Sequence, residues 1–151
     1  MQVRPTQSQD IAALEAVLDQ IELFPSEMLP DMIAGFLAGG DDMWLTCTLD
    51  ERVVGFCYAI PEEMAAGTWN MLAIGVLPEE QGTGCGTALV KHLEETLRQQ
   101  KQRIMIVDTS GTDAFSKSRE FYCKNGYAEE ARIRDFWAAG DDKITFWKSL
   151  S

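Results

Sequence analysis

The fold is decided by the stretch LAIGVLPEEQGTGCGTALVKHL, residues 72–93. It completes an apolar strand pattern, WNMLAIGVL (69–77), which Pro78 ends because proline has no N–H for a sheet ladder. The segment QGTGCGT, residues 81–87, then has three glycines within five residues, which allow a tight turn and the close approach of a bulky group. A long amphipathic helix follows, from the second of these glycines to about Gln100. Unpaired N–H groups at its positive N-terminus predict a phosphate or pyrophosphate site, and a simple turn without a ligand is the alternative.

Two other phosphate-binding motifs compete for this segment. A Walker loop needs a Gly-Lys pair, which the chain lacks, so NTP hydrolysis by that route is excluded. A dinucleotide fingerprint, GxGxxG, is matched in part: Gly82 and Gly84 fit its first two glycines, and Gly86 comes one position too early for the third. Asp108 is placed like the ribose-binding acid of that motif. However, Gly82 lies five positions after the strand, and the preceding elements form a hairpin and not a βαβ unit. Both facts argue against a dinucleotide site.

Hydrophobic periodicity predicts the remaining elements, because a period near 3.6 indicates helices and a period of two indicates strands. The predictions are a strand at 2–4, helices at 11–21 and from about 26 to the Gly39-Gly40 pair, strands at 43–49, 52–60 and 69–77, the helix from 84 to about 100, a strand at 103–109, a helix at 114–124, and strands near 127–137 and 143–149. The order βααβββαβαββ predicts an α/β fold with helices over a mixed sheet, and a single domain over residues 1–151.

Composition limits the partners. The 151 residues carry a net charge of −11 and no excess of clustered Lys or Arg, so nucleic acid is a poor default partner. No apolar run approaches the roughly 20 residues of a membrane span, and no signal peptide is visible at the N-terminus. Two basic and twelve acidic residues occupy positions 1–75, which favours a cationic ligand for that half of the chain.

The cysteine and histidine content predicts no metal site. Cys47, Cys57, Cys85 and Cys123 form no CxxC pair, and His92 is the only histidine. We expect reduced thiols and a cytoplasmic location, because disulfides are rare in that compartment.

Two motifs, about forty residues apart, give the sequence a resemblance to a known family. Gln81, Gly84 and Gly86 follow VLPEE in a Gln-x-x-Gly-x-Gly pattern, and REFYCKNGY (119–127) is similar to an FYE-x-x-G-[FY] segment. Together with the order of elements, they resemble the GNAT superfamily of N-acetyltransferases over nearly the whole chain. The resemblance implies a mixed, mostly antiparallel sheet of six to seven strands flanked by four helices.

The resemblance also implies a binding mode for acetyl-CoA. Strand 72–76 would splay from strand 103–109, the pantetheine amides would pair with backbone near Ile74 and Val76, and the Val76 N–H would polarise the thioester carbonyl. The pyrophosphate would be held by the N–H groups of Gln81, Gly82, Thr83, Gly84, Cys85, Gly86 and Thr87. Many members carry an asparagine where this chain has Phe115, and Ser116, Lys117 and Ser118 are the candidate substitutes.

The catalytic candidates are Tyr122 and Asp108. Tyr122 matches the family tyrosine that acts as general acid for the leaving thiolate, and a half-buried core aromatic is the alternative. Asp108 ends a buried strand where a carboxylate could serve as general base, and a structural cap on the N–H groups of Ser110 or Thr112 is equally consistent with the sequence. Glu62 and Glu63 are alternative bases that could instead attract a cationic acceptor. Trp137 is a candidate wall of the acceptor pocket.

These features favour an acetyl-CoA-dependent N-acetyltransferase that acts on the primary amine of a small cationic molecule by direct attack in a ternary complex. Cys85 lies in the pyrophosphate turn, so it is not a convincing acyl carrier. Acetylation of a protein or peptide amine is a competing enzymatic reading, and a non-catalytic acyl-CoA-binding or sensory module is the other. A homodimer is plausible from the resemblance alone.

Overall fold

The computed structural model describes all residues, 1–151, as seven strands and four α-helices. In chain order they are β1 (Gln2–Pro5), α1 (Ile11–Leu18), α2 (Leu29–Leu37), β2 (Met43–Leu49), β3 (Arg52–Pro61), β4 (Thr68–Val76), α3 (Cys85–Gln99), β5 (Ile104–Ser110), α4 (Ser116–Lys124), β6 (Ala128–Ala138) and β7 (Asp141–Ser149). The predicted order and the α/β class are confirmed.

All seven strands form one sheet, in the order β1-β2-β3-β4-β5-β7-β6. The β4–β5 pair is parallel and every other pair is antiparallel, which confirms a mixed, mostly antiparallel sheet. The turn between β2 and β3 has φ of 49° at Asp50 and 66° at Glu51. Two positive φ values suit the right-handed twist of the hairpin strands, so the predicted hairpin is confirmed.

The helices follow the apolar periodicity, with shifts at their ends. The core stripe of α3 is buried at Leu89, Val90, Leu93 and Leu97 and packs on β1–β4. Helix α1 ends at Leu18, three residues earlier than predicted. The N–H groups of Gln20 and Ile21 bond to the carbonyls three residues back, so the chain leaves the helix through a tight turn. No helix is long and apolar enough to span a membrane.

Strands β4 and β5 separate after three paired positions. Thr68, Trp69 and Asn70 pair with Ile104–Ile106, and the pairing then stops, whereas β5 stays paired with β7 over its whole length. A bulge in β4 between Met71 and Ala73 follows at once, since these two residues face adjacent residues of β3. The predicted splay is therefore confirmed, and it leaves a cleft between the far halves of the two strands.

A buried ionic network ties α3 to the C-terminal strands. Glu94 on α3 is 2% exposed and accepts hydrogen bonds from the Tyr127 hydroxyl (2.7 Å) and from the Lys148 Nζ (2.9 Å). Lys148 also donates to the Asn125 carbonyl at 2.7 Å. Burial, and then the charge of Glu94, raise the pKa of Tyr127 above its usual range, so this hydroxyl keeps its proton.

Replacing Glu94 by alanine is expected to lower the free energy of unfolding by about 3 kcal/mol. The change leaves the Tyr127 hydroxyl without its acceptor and the Lys148 ammonium without its carboxylate partner. This loss of unfolding free energy lies at the low end of the range for a broken buried ion pair, because the Lys148 side chain is 23% exposed and water can reach it. Urea denaturation measures the change. Glu95→Ala, on the exposed side of the same helix, is the control and should change stability by less than about 0.5 kcal/mol. Equal losses in both variants would contradict a special role for Glu94.

Candidate active site

The separation of β4 and β5 opens a cavity of about 1020 Å³. Residues 71–76 of β4 form one wall and residues 107–110 of β5 the other. The loop before α3 lies at one end, and residues of α4 complete the lining. The cavity therefore joins the glycine-rich segment to the end of β5, as the sequence predicts.

The three glycines of the loop serve two different purposes. Gly82 has φ +84° and Gly84 has φ +95°, and an added Cβ would meet no atom nearer than 3.9 Å at either position. Backbone conformation, and not crowding, therefore requires glycine there. Gly86 is different, because a Cβ would lie 3.1 Å from the Phe121 ring. It allows α3 and α4 to approach each other closely.

The loop presents a row of unpaired donors. The N–H groups of Gly82 and of residues 84–87 make no backbone hydrogen bond, as expected for the first turn of a helix that has no side-chain cap. The Gln81 side chain donates to the Val76 carbonyl at 3.3 Å, which ties the loop to the end of β4. Such a row at the positive end of a 15-residue helix is suited to an anion.

Most of the predicted cofactor-binding residues line the cavity, and two do not. Those that do are Ile74, Val76, Gln81, Gly82, Gly84, Gly86 and Thr87. Thr83 uses both its N–H and its hydroxyl on the Glu80 carbonyl, and the Cys85 side chain is buried below the loop. Of the substitutes for the missing asparagine, Lys117 and Ser118 line the cavity beside Phe115, and Ser116 lies outside it.

Tyr122 lines the cavity from α4 while its ring packs in the core. The residue is 6% exposed, and its ring centroid lies 5.4 Å from that of Phe146 and 6.1 Å from that of Tyr127. Burial raises the pKa of Tyr122 well above its usual range, so the phenol is protonated at neutral pH. Tyr122 is therefore a core aromatic that also lines the cleft, and its role as general acid stays a prediction.

Asp108 lines the cavity and is held by β7. The Thr145 hydroxyl donates to its Oδ1 at 2.6 Å, and the Lys143 Nζ lies 3.8 Å from its Oδ2. It caps neither Ser110 nor Thr112: the Thr112 N–H donates to the Ser110 Oγ, and that hydroxyl donates to Asp141. The capping alternative is wrong, because the Ser110 hydroxyl, and not Asp108, accepts the hydrogen bond of the Thr112 N–H.

Asn70 is a polar residue of this region that sequence reasoning missed. Its Nδ2 donates to Glu62 Oε1 at 3.0 Å and to Asp108 Oδ2 at 3.3 Å, so it joins two of the acidic candidates. Glu63 is exposed and has no such contact. The available signal was a single amide inside the apolar run WNMLAIGVL. Trp137 lines the cavity as predicted, with its Nε1 donating to the Thr109 carbonyl at 3.2 Å.

Known proteins share this architecture. A model of the acetyltransferase (GNAT) family matches residues 10–127. An uncharacterised N-acetyltransferase of Methanocaldococcus jannaschii is 28% identical over 151 residues, which cover 98% of this chain and 91% of that protein.

Solved structures agree with these matches. A protein from Desulfovibrio desulfuricans, assigned to the GNAT acetyltransferases, has a TM-score of 0.90 and 25% identity, with 99% of each chain covered. An aminoglycoside 6'-N-acetyltransferase in complex with coenzyme A has a TM-score of 0.80 and 17% identity, and covers 100% of this chain and 98% of its own. Because the family model spans well over half of the sequence, the chain belongs to the GNAT acetyltransferase family and is an acetyl-CoA-dependent N-acetyltransferase.

Proposed function

We propose that this enzyme acetylates the primary amine of a small, cationic molecule by direct attack within a ternary complex. The observation that carries the proposal is a single cleft with unpaired N–H donors at Gly82 and at residues 84–87, and with Asp108 and Tyr122 in its walls. Acyl transfer from a phosphorylated donor to an amine needs an anion site, a proton acceptor and a proton donor in one place.

The loop before α3 fits the pyrophosphate of acetyl-CoA. Its free N–H groups can donate to phosphate oxygens, and the open space above Gly82 and Gly84 lets a bulky group come close. We assign donor binding to Ile74, Val76, Gln81, Gly82, Thr83, Gly84, Cys85, Gly86 and Thr87. Cys85 acts there through its backbone, and Thr83 shapes the turn through its bonds to Glu80.

Three groups of the chain perform the chemistry in this proposal. Acetyl-CoA, when bound, supplies an activated acyl carbon, to which the acceptor nitrogen bonds as the carbon–sulfur bond breaks. Asp108 accepts the proton that the amine loses, and Tyr122 donates a proton to the departing sulfur. The Val76 N–H donates a hydrogen bond to the acyl oxygen, where negative charge develops.

The charge of the cleft supports a cationic acceptor. Its lining contains two lysines, Lys117 and Lys124, both on α4. Five acidic residues line it as well: Glu22, Glu80, Asp108, Glu120 and Asp141. Cations are drawn to such a cleft and anionic acceptors are repelled.

Acetylation of a protein or peptide amine is the alternative substrate class, and a sensory acyl-CoA-binding module is the alternative without turnover. We also propose one domain over residues 1–151, a cytoplasmic location and a homodimer. Size-exclusion chromatography with light scattering tests the last of these.

Calorimetric titration with acetyl-CoA, free CoA and NADH is the first test of the donor site. Binding of both CoA species and not of NADH supports it, whereas binding of NADH alone would revive the dinucleotide reading. Amines and peptides are then screened as acceptors by measuring release of the CoA thiol, which identifies the acceptor class. The complete failure of all acceptors, despite acetyl-CoA binding, would favour the sensory module.

Asp108→Asn is expected to lower kcat by about 100-fold or more and to leave acetyl-CoA affinity unchanged, because the amide cannot accept the proton of the amine. Thiol release with an amine from the screen measures kcat, and calorimetry measures the affinity. Asp113→Asn is the matched control, since Asp113 is exposed and does not line the cavity. An unchanged kcat in the Asp108 variant would remove Asp108 from the proposed role of base.

A further inference from the structure

Three apolar side chains that line the cavity are exposed. Leu23 is 39% exposed, Leu72 47% and Trp137 49%, and they come from the segment between α1 and α2, from β4 and from β6. Leu23 lies against the β4 wall, because a Cβ added at Gly75 would be 3.7 Å from its Cδ2. A single exposed apolar residue needs no explanation, but three that line one concave cavity are typical of a binding site.

Leu72 and Asp108 stand on opposite walls at the point where the cleft begins. The last paired residues of the parallel strands β4 and β5 are Asn70 and Ile106. Leu72 and Asp108 each lie two residues beyond this pair, and both line the cavity. Leu72 is also the extra residue of the β4 bulge, and a bulge of this kind re-aims a side chain. An apolar group therefore stands across the cleft from the proposed base.

Trp137 lies beside Asp108 and is held in place. Its Nε1 donates to the carbonyl of Thr109, the next residue after Asp108, at 3.2 Å. The Phe136 ring packs edge-to-face on the indole, with the ring centroids 4.7 Å apart. About half of the Trp137 surface nevertheless stays free for contact with another molecule. An aromatic side chain that is fixed before binding can pack on a flat apolar group with little further loss of conformational entropy.

The acceptor is the molecule that fits this part of the cleft. We assign the donor to Ile74, Val76 and residues 81–87, whereas Leu72 and Trp137 flank the proposed base, Asp108. A carboxylate between apolar walls matches an ammonium group that is joined to an apolar body. The acidic residues of the lining, taken alone, would instead favour a molecule with several positive charges. The two features thus predict different acceptors.

We propose that Leu23, Leu72 and Trp137 form an acceptor subsite around Asp108, and that the preferred acceptor is a monoamine whose amino group is carried on a flat apolar body. This inference rests on the proposed function, whose acceptor class it narrows. The carboxylate receives the amino group, and the apolar walls receive the rest of the molecule. A polyamine gains from the charge of the cleft, but it has no apolar group of matching shape to cover the Trp137 indole.

The test compares 2-phenylethylamine with 1,4-diaminobutane by calorimetric titration of the whole protein saturated with CoA. The first has one ammonium group and a flat apolar ring, and the second has two ammonium groups and no ring. We expect 2-phenylethylamine to bind more tightly, by at least about tenfold. Equal affinities, tighter binding of diaminobutane or no binding of 2-phenylethylamine would overturn the subsite.

Variants locate the preference. Trp137→Ala should weaken the binding of 2-phenylethylamine by at least about tenfold, and Leu72→Ala by about threefold or more. The affinities for diaminobutane and acetyl-CoA should stay within about twofold in both variants. Ile133→Ala is the matched control, because Ile133 is 48% exposed on β6, like Trp137, but does not line the cavity. An equal loss in the control, or no loss in the Trp137 variant, would overturn the subsite.

Failure of the subsite and failure of the proposed function give different results. An enzyme that acetylates diaminobutane and binds it more tightly than 2-phenylethylamine would keep the proposed function and overturn the subsite. A protein that binds 2-phenylethylamine through Trp137 but does not bind acetyl-CoA would keep the apolar site and overturn the proposed function. The comparison of the two amines on the wild-type protein decides the question even if a variant does not fold.

Discussion

Replacing Gly84 by valine is expected to abolish acetyl-CoA binding, with a loss of affinity of at least about 100-fold. Gly84 has φ +95° and is the residue from which α3 begins. A β-branched side chain is strained by about 1–3 kcal/mol in this region of backbone space. The loop would relieve the strain by turning its peptide groups, and the row of N–H donors at residues 84–87 would no longer converge on one anion.

The measurement is calorimetric titration with acetyl-CoA at matched protein concentrations. Gly39→Val is the control, because Gly39 also has a positive φ of 91° and open space around it but lies after α2, outside the cavity lining. Both variants carry the same backbone strain, so a shared loss of affinity would point to general destabilisation. Unchanged affinity in the Gly84 variant would overturn the pyrophosphate assignment.

Replacing Tyr122 by phenylalanine is expected to lower kcat by about 100-fold or more while acetyl-CoA still binds. The ring packs against Phe146 and Tyr127, and phenylalanine preserves that packing. The variant lacks the hydroxyl, whose raised pKa keeps it protonated at neutral pH, so the departing sulfur loses its proton donor.

Thiol release under saturating acetyl-CoA measures this effect, with Tyr127→Phe as the matched control. That hydroxyl serves the network around Glu94, so its loss should lower the midpoint of thermal unfolding and leave turnover near the wild-type rate. Wild-type kcat in the Tyr122 variant would return Tyr122 to a purely structural role.

Sequence reasoning succeeded where the signal is local. The alternation of apolar residues marks the strands, and the 3.6-residue stripe of Leu89, Val90, Leu93 and Leu97 marks α3. Positive φ values at Gly82 and Gly84 also follow from residue type, because glycine is the residue that adopts them at little cost.

The rest depends on contacts between distant parts of the chain. Asn70 joins Glu62 and Asp108 only because the sheet brings three separate segments of the chain together, and no spacing along the sequence encodes that meeting. In the sequence, Gly86 looks like its neighbours Gly82 and Gly84. Position 86 nevertheless requires glycine for a different reason, the closeness of the Phe121 ring, which lies 35 positions later in the chain. The sequence pattern alone does not show whether a glycine is required for its backbone conformation or for close packing.

The early end of β4–β5 pairing has a consequence for the cooperativity of unfolding. Backbone hydrogen bonds hold strands β1–β4 as one block and β5, β7 and β6 as another, with three paired positions between the blocks. What keeps the blocks together is therefore side-chain contact in the shared hydrophobic core, to which Met105 and Phe146 of the second block belong, together with the Glu94–Lys148 ion pair, which links α3 on the first block to β7 of the second. Weakening that link should not only lower the midpoint of denaturation but also broaden the transition, as one block loses order before the other.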